Sequence, residues 1–322
     1  MHILISGLGS SGRRHLRHFR SLGVEQIDAF RTGLGTMPDA GQLPPDRVFT
    51  DFQEALAQQP AAVIIASPTA LHVPQALAAV QAGCHVLVEK PVSHSLAGLA
   101  DLKLAARQAG RIVSVAQNLR YHPVLKMLDD WIKQASPLGE VQLFRAHFGA
   151  FLPSWHPWED YRVSYAARAD LGGGCRRTHI HELDYCIWLM GKATDVCAVE
   201  SQKHPLQTDV DETTAYLLRH VNGALSTITL SLAQTPPSRT VQVGFAQGTF
   251  TADLLSGEWT ALYGDKSSQS GKPPAGFELE HTYRDQDLDF LRAVRGEIPA
   301  PVPLEEAENI LEAALTLESQ TS

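Results

Sequence analysis

The sequence predicts an α/β protein: an N-terminal doubly wound parallel sheet, then a C-terminal α+β domain with a large open, mostly antiparallel sheet. Three observations point there. Short, wholly apolar runs alternate with helical patterns as far as Asn118, a rhythm that demands crossovers between parallel strands. The first of these runs opens into a glycine-rich turn and a helix. After Arg120 the strands lengthen and their apolar residues alternate with polar ones, as in a sheet with one covered and one polar face. The predicted domains are 1–119 and 120–322, with the last helix able to pack back on the first domain.

Taken in order, Ile3–Ile5 reads as a buried strand, Arg13–Leu22 as a helix stopped by Gly23, and Gln26–Phe30 as a second strand. Val48–Thr50 is a short strand, and Asp51 is placed to cap a helix over Phe52–Gln58. Ala62–Ala66 is the plainest buried strand, ended by Ser67-Pro68. A helix over Pro74–Ala82, a strand at His85–Val88, a helix over Ser95–Ala109 and a strand at Ile112–Ala116 complete the first half. Beyond a helix at Val124–Gln134, strands are predicted at Val141–Phe148, Val196–Ser201, Thr213–His220, Ala224–Leu232, Val241–Phe245 and Thr249–Leu254. One helix is read across Gly174–Met190, and two more at Asp285–Val294 and Leu304–Leu317. Ser267–Ala275, rich in serine, glycine and proline, reads as a flexible loop.

Composition narrows the function. The chain has 322 residues, 44% of them hydrophobic, which rules out disorder as its main state. With 27 Lys and Arg against 35 Asp and Glu its formal charge is −8, the wrong sign for a global nucleic-acid footprint. No apolar stretch approaches the roughly 18 residues of a membrane helix. Cys84, Cys175, Cys186 and Cys197 are far apart, without metal spacing, so reduced thiols and no metal are expected. The start of the chain shows no secretory pattern, and a cytoplasmic location is expected.

Gly7-Leu8-Gly9-Ser10-Ser11-Gly12 sits between a strand and a helix. The first glycine permits the tight turn, the second the approach of a pyrophosphate, and the third close helix–strand packing, with helix amides as donors. This points to dinucleotide binding; a plain turn is the alternative. The tip of the second strand holds Arg31 and Thr32, whereas Asp28 lies too early. A guanidinium can pair a ribose 2′-phosphate but cannot accept from a 2′-hydroxyl, so NADP is favoured and NAD is the alternative.

Two further clusters carry chemistry. Glu89-Lys90-Pro91 ends a parallel strand, where ligands gather, although a surface lysine before a proline would look the same. Gly172-Gly173-Gly174-Cys175-Arg176-Arg177-Thr178-His179-Ile180-His181 opens a helix on which Arg177, Thr178 and His181 share one face. Asp184 follows His181 at i+3, His179 points elsewhere, and a hydrogen-bonded core histidine remains open for His181.

In this order and spacing, Gly7–Gly12, Glu89-Lys90-Pro91 and Gly172–Asp184 resemble the glucose–fructose oxidoreductase / inositol dehydrogenase / MocA family. Ser67-Pro68-Thr69-Ala70-Leu71-His72 resembles the family's loop beside the nicotinamide, and Asn118-Leu119-Arg120-Tyr121 its domain-junction segment. The resemblance implies a Rossmann domain and an open-faced sheet domain that forms homodimers or homotetramers. It implies a carbohydrate or nucleotide-sugar substrate. It also implies that Lys90 hydrogen-bonds the reacting hydroxyl and that His181 is the general acid/base. Ser67, Pro68, His72, Glu89, Lys90 and Asn118 then join Gly7, Gly9, Ser10, Ser11, Gly12, Arg31 and Thr32 at the cofactor. Thr178 stands where many members have an aspartate, and Arg176 and Arg177 replace apolar residues, which points to an anionic substrate or else to arginines lying along the helix surface.

The aromatic loop Phe151–Tyr165 offers Trp155, His156 and Arg162 as substrate contacts beside Arg120, Arg177, Thr178 and His181, or else as structural filling. A non-catalytic dinucleotide sensor and a redox-neutral glycosidase or lyase are the competing functions.

Overall fold

The computed structural model describes residues 1–33, 43–134, 138–156 and 158–320. The chain divides into two compact units: one from Met1–Asn118 and Glu280–Leu311, the other from Leu119–Leu279 with the chain from Glu312 onward. Residues 280–311 therefore group with the first sheet, where a single cut at 119/120 leaves them with the second.

The first unit is a six-stranded sheet built from β1 (His2–Ser6), β2 (Gln26–Phe30), β3 (Val48–Phe49), β4 (Ala62–Ile65), β5 (His85–Val88) and β6 (Val113–Val115). All five pairings are parallel, in the order β3-β2-β1-β4-β5-β6, the doubly wound arrangement expected. The connections are α1 (Ser10–Ser21), α2 (Phe52–Leu56), α3 (His72–Gln81) and α4 (Leu99–Ala109). Every residue of β4 is fully buried, as its unbroken apolar run requires. Ile3, Ile5, Leu16, Phe19, Ile27, Ile64 and Leu87 share one core with Phe290 and Leu291, late-chain residues. Asp51 caps α2 as read from the sequence, accepting from the amides of Gln53 and Glu54 at 2.7 and 3.1 Å. The helix expected from Ser95 begins only at Leu99, because Gly98 takes a left-handed φ of 77° immediately before it.

In the second unit, α5 (Pro123–Lys133) precedes β7 (Val141–Phe151), and the chain then forms α6 (Cys175–Thr178) and α7 (His181–Met190). The sheet continues through β8 (Ala193–Glu200), β9 (Thr213–His220), β10 (Leu225–Ser231), β11 (Ala233–Phe245), β12 (Gly248–Asp253), β13 (Trp259–Tyr263) and β14 (Ser268–Gly271). Its order is β14-β13-β12-β11-β7-β10-β9-β8; β7–β10 is parallel and every other pairing antiparallel. Along β9, Thr214, Tyr216, Leu218 and His220 are buried while Leu217 and Arg219 face outward. On the covered side α7 packs against β7 and β10.

Three sequence readings need correction here. Ser268–Gly271 is an edge strand paired to Trp259–Leu262, not a loop; its serines and glycine have little strand propensity, and the neighbouring ladder imposes the extended form. Strand β13 went unread. The helix expected across Gly174–Met190 breaks at His179, where φ and ψ of −100° and 32° end α6. Two final helices, α8 (Leu279–Val294) and α9 (Leu304–Gln320), lie where they were expected, α8 starting earlier. Among the described residues no helix is long and apolar enough to cross a membrane.

Candidate active site

In the first unit the chain leaves β1 through Gly7, whose φ is 97° and where a Cβ would lie 2.5 Å from the Ala66 carbonyl oxygen. At Gly12 a Cβ would come within 1.9 Å of the Gly7 carbonyl oxygen. Gly9 differs: its φ of −72° suits any residue, and a Cβ there would meet nothing within 4 Å. Two glycines are thus demanded by backbone packing, and the middle one keeps open space before α1. Gly9 is also the N-cap of α1 without a side-chain cap hydrogen bond, and Ser10 is exposed beside it. Amides of the first helical turn together with the positive end of the helix dipole suit a pyrophosphate there.

In the middle of β2, two residues before its end, Asp28 is 1% exposed and accepts from Arg47 Nη2 at 2.6 Å, with His2 Nε2 at 2.9 Å. That carboxylate is committed to protein partners, as its early position in the strand implies. Arg31 and Thr32 follow directly, half-buried and exposed, with the Arg31 amide donating to Phe49 O at 3.0 Å.

The turn after β4 is held by a residue that went unnoticed in the sequence. Gln75 Oε1 accepts from both Ser6 Oγ and Ser67 Oγ at 2.8 Å, tying the ends of β1 and β4 together. His72 is buried, with Nδ1 2.8 Å from Pro91 O and Nε2 2.9 Å from Ser67 O. Burial holds its pKa below the ordinary histidine value. Its ring therefore sits within hydrogen-bond distance of both backbone stretches, the one that carries Ser67-Pro68 and the one that carries Lys90-Pro91, and packs between them instead of facing open space. The Lys90–Pro91 peptide is cis. Asn118 is buried, its amide donating to Thr282 Oγ1 at 2.8 Å. Glu89 is likewise buried, while Lys90 is half-exposed.

In the second unit, Gly172 takes a left-handed φ of 82°, and the two glycines after it fold tightly around neighbours. A Cβ on Gly173 would lie 2.4 Å from Tyr165 O, and one on Gly174, whose φ is 103°, would lie 2.1 Å from Asp211 Oδ1. Asp211 organises this turn: its carboxylate accepts from the Arg176 amide at 2.8 Å and from the Cys175 thiol at 3.1 Å. Arg176 Nε lies 3.3 Å from the same carboxylate, and both side chains are buried. Of the two arginines that argued for an anionic substrate, Arg176 is thus neutralised from within. Arg177 is half-buried and lines a cleft of about 460 Å³ with His204, Thr208 and Asp209.

Because α6 and α7 are separate helices, helical spacing no longer puts Thr178 and His181 on one face. Both are buried, at 4% and 7% exposure, Thr178 closing α6 and His181 opening α7. His179 is the core histidine: it packs 4.3 Å from the Phe148 ring and 5.6 Å from Trp155, centroid to centroid. Arg120, nominated for substrate, is buried and donates to Asp184 through Nη2 at 2.6 Å and Nε at 3.0 Å. Arg239 Nε donates to Glu182 Oε1 at 2.8 Å, a second buried pair on α7 that the sequence did not reveal. In the aromatic loop, His156 bonds Glu159 at 2.8 Å and stacks on Trp158, which is 51% exposed. Arg162 is exposed over the Tyr161 ring.

Comparison with known proteins places these features in a family. A model described as "Oxidoreductase family, NAD-binding Rossmann fold" matches residues 1–117, and a GFO/IDH/MocA C-terminal domain model matches residues 130–251. A 4-carboxy-2-hydroxymuconate-6-semialdehyde dehydrogenase of a Sphingobium species is 25% identical over 307 residues, 92% of this chain and 90% of that protein. A levoglucosan dehydrogenase of Pseudarthrobacter phenanthrenivorans is 26% identical over 52% of this chain and 48% of its own length. Among solved structures, a levoglucosan dehydrogenase in complex with NADH and levoglucosan superposes with a TM-score of 0.85 at 17% identity, over 100% of this chain and 97% of that one. A UDP-N-acetylglucosamine 3-dehydrogenase from Acidithiobacillus ferrooxidans gives 0.77 at 21% identity, over 99% and 97%. At those identities the likeness speaks for the fold alone. Both halves of the chain match one family and the glycine turn keeps its open cradle: the chain belongs to the glucose–fructose oxidoreductase / inositol dehydrogenase / MocA family of oxidoreductases.

Proposed function

We propose that the protein transfers a hydride between a nicotinamide dinucleotide, NADP in preference to NAD, and a carbinol or carbonyl carbon of a sugar, sugar acid or nucleotide sugar. The observation that carries the reading is the cradle at Gly9, open to 4 Å between two glycines locked by backbone contacts. When bound, the nicotinamide supplies the hydride acceptor or donor. Gly7, Gly9, Ser10, Ser11 and Gly12 would hold the pyrophosphate. Ser67 and Pro68 would face the nicotinamide half, with His72, Glu89 and Asn118 fixing the backbone around it. Arg31 and Thr32 would meet a 2′-phosphate, since Asp28 is already bonded to Arg47 and His2.

For oxidation of a carbinol the hydroxyl proton must leave as hydride departs from the same carbon. His181 would take it as general base, and would return it in the reverse direction. Lys90 would donate a hydrogen bond to the same oxygen and favour its developing negative charge. Positioned proton transfer contributes about 10²- to 10⁴-fold. Arg177, Trp155, His156 and Arg162 would contact substrate, while Arg120 and Thr178 would support the histidine's surroundings. Relatives named as dehydrogenases of levoglucosan and D-apiose support a carbohydrate substrate. We further propose a cytoplasmic homodimer or homotetramer, joined through the exposed face of the second sheet.

The test follows nicotinamide absorbance with NADP or NAD and a panel of sugars, sugar acids and nucleotide sugars, with His181→Ala alongside. Turnover on a panel member, lost by at least about 10²-fold in the variant with cofactor affinity retained, is expected. Undiminished turnover in His181→Ala would overturn its role. Tight cofactor binding with no redox on any member would favour the sensor or redox-neutral reading.

A further inference from the structure

Beneath the Glu89-Lys90-Pro91 segment lies a buried chain of charged groups, all within the first unit. Glu89 Oε2 accepts from the Lys90 backbone amide at 3.1 Å, while its other oxygen, Oε1, lies 3.1 Å from His15 Nε2. His15 is on α1, one turn past Gly12, and is 1% exposed. Its Nδ1 lies 2.8 and 3.0 Å from the two carboxylate oxygens of Asp287, a fully buried residue of α8. Asp287 Oδ2 also meets His18 Nδ1 at 3.1 Å, and His18 Nε2 reaches Glu280 at 3.0 Å.

An imidazole whose two nitrogens both face carboxylates must carry both protons, because a carboxylate only accepts. Burial opposes that charge, but Asp287 and Glu89 overcome it and raise the His15 pKa to about 10. Burial also opposes ionisation of Glu89, and the bond and charge of His15 with the charge of Lys90 hold it down to about 2. Burial opposes ionisation of Asp287 too, and the charges and hydrogen bonds of His15 and His18 hold it below its ordinary value. The line from α8 to the Lys90 backbone therefore alternates carboxylate, imidazolium, carboxylate and amide, each group satisfied by the next.

Resting on the proposed role of Lys90, we infer that Asp287, His15 and Glu89 are positioning residues that lock the Lys90 backbone to α1, the helix that begins at the glycine turn. They touch neither substrate nor cofactor; they fix how far the lysine stands from the cofactor cradle. A misplacement of about 1 Å at a reacting group costs on the order of 10²-fold in rate.

The discriminating variant is Glu89→Gln. A glutamine keeps the shape but has one acceptor oxygen where the carboxylate has two, so beside a doubly protonated His15 it cannot accept from both the imidazolium and the Lys90 amide. Asp287→Asn is the second variant, acting from the far end, and thermal unfolding checks that each folds. The first readout needs no substrate: hydrogen exchange of the Lys90 amide in the full chain with NADPH bound. Expected is exchange faster by about tenfold or more at Lys90, with the ladder amides of Val86–Val88 unchanged; unchanged exchange at Lys90 in both variants overturns the inference. The second is a cycle with Lys90→Met on the sugar that the wild type turns over. Glu89→Gln should lower kcat about 10- to 10²-fold with little change in cofactor Kd, and should add nothing in the Lys90→Met background. Equal losses in both backgrounds would make Glu89 merely structural and overturn the inference. An inert Lys90→Met would instead refute the role assigned to Lys90, a separate failure.

Discussion

Arg120 and Asp184 set up a sharp prediction about the second unit. Their 2.6 Å contact is worth about 6 kcal/mol of attraction at an effective dielectric near 20. Desolvation of two ions costs several kcal/mol each, so the intact pair is close to neutral against an apolar replacement. Removing only one partner leaves a charge at 8% or 0% exposure without this counter-ion, at a cost of about 3–5 kcal/mol. Asp184→Leu alone should therefore shift the unfolding constant by roughly two to three and a half decades. Arg120→Met combined with Asp184→Leu should recover most of that loss. Urea unfolding followed by tryptophan fluorescence is the assay, and it reads this unit alone, because Trp131, Trp155, Trp158, Trp188 and Trp259 all lie within Leu119–Leu279. A single-variant loss below about 1 kcal/mol, or losses that simply add in the double variant, would refute the reasoning.

The glycine turn offers a matched pair: Gly12→Ala, with its Cβ 1.9 Å from backbone, should destabilise the first unit, whereas Gly9→Ala should fold normally and lose cofactor affinity on titration. Arg31→Asp should weaken NADPH by about ten- to a hundredfold and spare NADH, read from paired Kd values; a variant still preferring NADPH would contradict the assignment. Against pH, the stabilisation from His15 is full below its unfolded value of about 6.5 and lost as pH rises through about 10. That from Glu89 is full above about 4.5 and lost as pH falls through about 2. Urea midpoints of Asp287→Asn against wild type should thus differ most near pH 5–6 and converge in strong alkali.

What the sequence made legible is what depends on local pattern. β4 is an unbroken apolar run, α2 announces its cap with Asp51, and the glycine turn states its own geometry, so the first sheet could be read as parallel and doubly wound before any coordinates. Strand β14 was illegible because its residues lack strand propensity and its neighbour supplies the ladder. The break at His179 was illegible for a similar reason. His179 sits on Phe148 and Trp155, and Asp211, 30 residues beyond His181 in sequence, holds the start of α6. Arg120, His72 and Glu89 were found through the family resemblance of their segments, but their work is tertiary: each meets a partner that no spacing rule links to it.

The same distinction explains why α7 can carry His181 at its first position. Helical residues advance by about 100°, so Glu182 lies some 100° to one side of His181 and Asp184 some 60° to the other. Each carboxylate meets an arginine from a different element, Arg239 on β11 and Arg120 before α5. The first turn is thereby clamped from two directions, and both negative charges also suit the positive end of the helix. A single pair would leave the turn free to roll about that contact; two pairs flanking the histidine fix its azimuth as well as its depth. Losing either clamp should loosen His181, and the two losses should not add, because the first alone restores the freedom to roll. Turnover of Glu182→Gln and Arg120→Met, singly and together, tests this: a double variant near the worse single supports the clamp, and a product of the two effects refutes it.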